Sequence, residues 1–185
     1  MSWNDGFYSN RYSWLSGSLT YANGPHSLAF TAMGNLGQTA FQTLATPVQN
    51  NSSLYAVIYR YSKGGWIIQP YYQYSSVPTN RKIGILKGNT TQAGAILVSH
   101  TFKHGFSLPV RWEYIASTGS ANDPDVVNLM YGPGSKGTSI TVTPTFQYAR
   151  LFFRGDLSYV HVYDITSGLA FGQGGEPQKP NSRHG

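Results

Sequence analysis

The 185-residue chain carries 13 Lys and Arg against seven Asp and Glu, for a formal charge of +6, and only 11% of it is charged. That is well below the roughly 25% of an ordinary soluble domain. The basic residues are scattered singly apart from Arg81-Lys82, which argues against nucleic acid as a partner, and the absence of cysteine removes disulfides, thiolate metal sites and cysteine nucleophiles.

No run approaches the ~20 apolar residues of a membrane-spanning helix. β-Barrel strands escape that test, because their apolar signal falls on alternate residues. The start, Met1-Ser-Trp-Asn-Asp-Gly6, has no basic segment followed by an apolar core and so is not a signal peptide.

Residues 1–12 read as loop. A first strand is expected over 13–21, with Leu15, Gly17, Leu19 and Tyr21 alternating with Ser16, Ser18 and Thr20. After a short turn, residues 27–36 form a second strand with Leu28, Phe30 and Ala32 on one face. A long polar connection covers 37–52. Strand three, 53–61, alternates Tyr55, Val57, Tyr59 and Tyr61 with Leu54, Ala56, Ile58 and Arg60. A short turn leads to strand four, which places Trp66, Ile68, Pro70, Tyr72 and Tyr74 opposite Gln69, Tyr71, Gln73 and Ser75. A second long connection spans 76–89.

Strand five, 90–102, leaves two faces open: Ala95 with Leu97, or Ile96 with Val98 and Phe102. Strand six, 106–117, sets Leu108, Val110, Trp112 and Tyr114 against Pro109, Arg111, Glu113 and Ile115. The third long connection, 118–137, precedes a hairpin over 138–162 that reverses at Ala149-Arg150. Pairing Tyr148 with Leu151 puts Phe146 opposite Phe153, Pro144 opposite Gly155 and Val142 opposite Leu157, so the apolar faces coincide. Pro70 and Pro144, inside strands, are expected at bulges or at errors of register. From about residue 164 the chain is polar loop.

Short turns and long loops alternate throughout, as in outer-membrane barrels. Strands of roughly 9 to 11 residues suit a tilted bilayer crossing. Tyr21, Tyr55, Tyr61, Trp66, Tyr72, Tyr74, Phe106, Tyr114, Tyr148 and Tyr159 gather near strand ends, where interfacial girdles belong. The expected fold is an all-β, antiparallel up-and-down transmembrane barrel, or an eight-strand arc of a larger one, in a single domain over residues 1–185. Eight strands suffice to close a barrel filled by its own side chains, so closure and arc both stand.

Several phrases point further: Leu108-Pro-Val-Arg-Trp-Glu-Tyr114, Ser117-Thr-Gly119, Asn128-Leu-Met-Tyr-Gly-Pro-Gly-Ser-Lys136, Thr143-Pro-Thr-Phe-Gln-Tyr148 and Phe153-Arg-Gly-Asp-Leu-Ser-Tyr159. In this order they resemble the C-terminal half of the bacterial OmpL-like β-barrel porins, over about residues 53–175. The resemblance implies an outer-membrane barrel with more strands than eight. Family members begin with a signal peptide and end in a strand with a terminal aromatic residue, so the chain is expected to be a fragment.

Arg111 with Glu113, and Arg154 with Asp156, are basic-x-acidic pairs on the polar face, expected to line the lumen. They either shape the field along an aqueous path or cross-link strands in a narrow interior. Local neutralisation favours the second role. Arg60, with no acidic residue two positions away, is the candidate anion-attracting group. His100 and His104 would stand about 13 Å apart on a strand, with no carboxylate beside them, so no metal is expected. Gly132-Pro-Gly-Ser-Lys-Gly137 lacks the order of a phosphate loop.

No catalytic residue, metal or cofactor is expected, and the chain is not expected to be an enzyme. The expected function is passive diffusion of small hydrophilic solutes across a bacterial outer membrane. Outer-membrane lipid and the solutes are the expected partners, nucleic acid is not, and a homo-oligomer is possible. The alternatives are a soluble all-β glycan-binding module and a non-conducting barrel with adhesive or structural loops.

Overall fold

A computed structural model describes residues 2–4, 14–35, 51–120, 122–123, 125–127, 132–148 and 150–164. Its strands are β1 (Ser2–Asn4), β2 (Trp14–Asn23), β3 (His26–Asn35), β4 (Ser53–Lys63), β5 (Trp66–Val77), β6 (Asn89–Thr101), β7 (Phe106–Ser117), β8 (Lys136–Val142), β9 (Thr145–Tyr148), β10 (Leu151–Arg154) and β11 (Leu157–Asp164). All lie in one antiparallel sheet in which chain neighbours are sheet neighbours, with β1 at one edge and the β10–β11 strand at the other. Among the described residues the sheet does not close, and it has the up-and-down order of a barrel arc.

The C-terminal hairpin has the register that its apolar faces dictate. Tyr148 pairs with Leu151, Phe146 with Phe153 and Val142 with Leu157. Each arm is interrupted, however, between β8 and β9 at Thr143-Pro144 and between β10 and β11 at Gly155-Asp156. Proline has no N–H to give the ladder. Its carbonyl still accepts from the Gly155 N–H at 3.1 Å, so the register crosses the gap unchanged and Pro144 makes no bulge. Pro70 makes none either. The β5–β6 ladder runs through it opposite Ile96, while the β4–β5 ladder lacks pairs between Ile58↔Tyr71 and Tyr61↔Ile68.

One cross-strand row runs Asn23, His26, Tyr61, Ile68, Val98, Val110, Val142, Leu157. Relative to it, the first hairpin turns at the row itself, at Asn23↔His26. The second extends two residues further, to Lys63↔Trp66, and the third four, to the Phe102 N–H that meets the Phe106 carbonyl. The fourth extends six, to Tyr148↔Leu151. The offset is thus one residue per strand. A rise of about 3.3 Å against a strand spacing of about 4.8 Å gives a tilt of about 35°, within the range of outer-membrane barrels.

The apolar face is uncovered. Leu19 is 75% exposed, Leu157 71% and Trp112 49%. A soluble sandwich would bury this face beneath a second sheet; the described residues form only one sheet, with this face exposed. The ambiguous strand resolves through its neighbours. Ile96 joins the exposed face between Pro70 and Trp112, while Ala95 is buried on the polar face between Tyr71 and Glu113. Among the described residues the only buried apolar cluster, Val77, Ile83 and Ile85 with Val127 packed against it, lies at the loop end of β5 and in the loops beyond it.

Candidate functional site

The polar face is hollowed over β5–β11. One cavity of about 390 Å³ is lined by Tyr71, Gln73, Arg111, Glu113, Ser139 and Ser158 among others. A second, of about 310 Å³, is lined by Leu97, Arg111, Thr141, Thr143, Arg154 and Asp156 among others. Arg111 borders both, so the two form one polar trough.

Cross-strand bonds hold the charges. Arg111 Nη2 lies 3.4 Å from Glu113 Oε2, which also accepts from Ser139 Oγ at 2.9 Å; the Tyr71 hydroxyl donates to Glu113 Oε1 at 3.4 Å. Arg154 Nη2 and Nε each reach Asp156 at 3.2 Å, and Thr143 Oγ1 donates to Asp156 Oδ1 at 2.7 Å. Thr141 and Ser158 join their hydroxyls at 2.8 Å. The spacing of two residues brings each basic-x-acidic pair into contact. The hydroxyl partners come from other strands and become visible only once the register is known.

Arg60 stands on the same face, exposed, opposite Ser27. Among the described residues it has no ion-pair partner. It belongs to the row Ser27, Arg60, Gln69, Leu97, Arg111, Thr141, Ser158, in which the unchanged register places Gln69 beside Arg60. Arg60 and Arg111 therefore share one cross-strand row of the sheet, three strands apart.

The aromatic residues of the apolar face fall into two bands. Tyr21, Tyr61, Trp66 and Tyr148 lie toward the short turns, and Tyr55, Tyr74, Tyr114 and Tyr159 toward the long loops. Tyr72 stands one outward position inside the loop-side band, its hydroxyl bonded to Gln92 at 3.1 Å. Both bands follow the one-residue offset. Trp66 and Tyr74 on β5, like Phe106 and Tyr114 on β7, are eight positions apart. That projects to about 22 Å at a tilt of about 35°, close to the ~25 Å apolar band of outer-membrane barrels.

The turn-side band is richer than the sequence suggested. His26 Nδ1 meets the Tyr59 hydroxyl at 2.6 Å, and the His100 ring lies 4.3 Å from Trp66 and 4.5 Å from Phe102. Read only for metal binding, these histidines gave no sign of that setting. No group of three metal-ligating side chains occurs among the described residues.

At the opposite end the loops pack on one another. Lys87 and Val126 form a parallel bridge, Asn89 Nδ2 donates to the Val127 carbonyl at 3.1 Å, and Lys87 Nζ lies 2.6 Å from Asp123 Oδ2. The hydrogen bond to Asp123 raises the Lys87 ammonium above its ordinary pKa. The same bond holds the Asp123 carboxyl below its own.

An antiparallel arc tilted at about 35°, polar on one face and apolar on the other, is the wall of an outer-membrane-type barrel. Residues 1–183 match the family described as putative beta-barrel porin-2, OmpL-like, and the chain belongs to that family. The match reaches beyond the stretch that carries the resemblance in sequence. Porin families are generally non-enzymatic, and this one implies an outer-membrane location. No curated protein and no solved structure matches the chain.

Proposed function

We propose that the chain forms the wall of a pore through which small hydrophilic solutes cross the outer membrane by passive diffusion. The observation that carries this reading is the trough. Charged and hydroxyl side chains from five strands converge on one face, while the other face is apolar and uncovered between two aromatic bands. In this reading the bands are the membrane interfaces, the trough lines the lumen, and the short turns point to the periplasm.

Height along the strands gives the lumen its sign. Pro70 lies midway between Trp66 and Tyr74; following the offset of one residue per strand from it, Arg111 on β7 lies one residue from mid-height on the loop side and Arg60 on β4 two residues from it on the turn side. Arg154 comes within about one residue of mid-height once the offset is followed to β10. Three guanidinium groups against Glu113 and Asp156 leave a positive excess near mid-height, and unpaired Arg60 supplies it. Small anions are favoured.

Single-channel recording of the folded protein in a planar bilayer tests this. Stable ohmic steps are expected, and Arg60→Glu should shift the reversal potential in a salt gradient toward cation preference. A folded, membrane-inserted protein without conductance refutes passive diffusion. It would favour a second reading supported by the packed loops, in which they occlude the mouth and serve contact rather than passage.

A further inference from the structure

The charges outside the trough are distributed unequally between the two ends of the sheet. On the loop side, Lys87 pairs with Asp123 and Asp125 and Lys136 with Asp164 at 3.3 Å, while exposed Arg81 and Lys82 have no ion pair among the described residues but share the loop end with these carboxylates. Three of the four short turns carry a cation, namely Lys63, Lys103 and Arg150, each exposed and none in an ion pair among the described residues. Among the described residues that end has no Asp or Glu. Exposed His104 stands beside Lys103 in the left-handed conformation, with φ of 65°.

The offset of one residue per strand brings these turns onto one contour. Neighbouring hairpins are two strand spacings apart, so at a tilt of about 35° the cations recur about every 12 Å around the rim. Each sits just beyond an aromatic ring of the apolar face. Lys63 pairs with Trp66, Lys103 follows Phe102, and Arg150 precedes Leu151, the partner of Tyr148. A ring at the interface with a cation one step outward matches the depth of lipid phosphates.

We infer that the turn-side rim, through Lys63, Lys103 and Arg150, binds the anionic headgroups of phospholipids in the leaflet it meets. This rests on the membrane-spanning reading above. The partner follows from charge complementarity: positive groups without acidic counterparts, held at headgroup level, attract anionic lipid and leave zwitterionic lipid unenriched. The three cations hold the rim at a fixed depth, and the aromatic band supplies the apolar contact beneath it.

The test uses the full chain in mixed vesicles of phosphatidylcholine and phosphatidylglycerol, with bromine on the chains of one lipid or the other. Trp66 is the reporter, with Trp3, Trp14 and Trp112 replaced by phenylalanine. Brominated phosphatidylglycerol should quench more strongly, corresponding to a local enrichment of about five-fold, which is about 1 kcal/mol for a basic side chain near an anionic surface. The enrichment should fall as salt rises. It should vanish in Lys63→Gln/Lys103→Gln/Arg150→Gln, survive in Lys63→Arg/Lys103→Arg, and survive in the loop-side control Arg81→Gln/Lys82→Gln. Equal quenching by the two lipids, or a preference unchanged in the triple glutamine variant, overturns the inference and leaves the barrel reading intact. Quenching by neither lipid in a folded chain overturns both.

Discussion

Placing an arginine at Ile96 tests which face meets lipid. Ile96 is 38% exposed on the apolar face and pairs with Pro70, the midpoint between Trp66 and Tyr74. The offset puts it within about 3 Å of mid-height. An arginine facing hydrocarbon at that depth costs about 2 to 4 kcal/mol, against about 0 to 1 near the interface. Ile96→Arg should therefore lose most stability, Tyr74→Arg much less, and Gln69→Arg on the polar face little. Denaturant titration of the protein folded in vesicles measures all three, with the midpoint and slope fitted together. Trp112, the cross-strand neighbour of Ile96, reports locally. If Gln69→Arg costs as much as Ile96→Arg, or the cost is independent of depth, the assignment of faces is refuted.

Glu113→Gln removes the acceptor charge beside Arg111. The ion pair is partly exposed and screened, so its loss should cost only about 0.2 to 1 kcal/mol, while the reversal potential moves toward stronger anion preference. Ile85→Ala empties part of the loop cluster and should cost about 2 to 5 kcal/mol of local stability, visible as faster hydrogen exchange in the loops with the strands unaffected. The Lys87–Asp123 bond has a defined pH window. The carboxyl is depressed from 3.8, so its contribution is present above that value and lost as pH falls through the lower folded value. The ammonium is raised from 10.5, so its contribution is present below that value and lost as pH rises through the higher folded one. Proteolysis of the loops should accelerate at both extremes and stay flat between them. A single acidic transition would contradict the pairing.

Apart from β1, whose residues read as loop but pair with β2, the sheet was legible in the sequence because period-two patterning fixes both face and register. Tyr148 with Leu151 was enough to place the pairs of the last hairpin as far as Val162 with Gly137, beyond which the register shifts at Asp164. The strand around Ile96 was not legible, because Ala95 and Leu97 make one side of it as apolar as the other. Only the neighbours Tyr71, Glu113 and Trp112 distinguish the two. The loop cluster left no trace either: Val77, Ile83, Ile85 and Val127 are spread among Pro, Gly and Asn without a period. Arg111, Glu113, Arg154 and Asp156 could be read as local pairs. The donors that tie them down, Ser139, Tyr71 and Thr143, lie up to 42 residues away in the chain.

The equal step between successive hairpins bears on how such a wall can change in size. Every hairpin repeats the same offset, so two adjacent strands with their turn could be inserted or removed without putting the remaining aromatic bands out of level. Loss of a single strand would instead reverse the direction of every strand after it and carry short turns to the loop side. A lineage built on this geometry would be expected to widen or narrow its barrels two strands at a time.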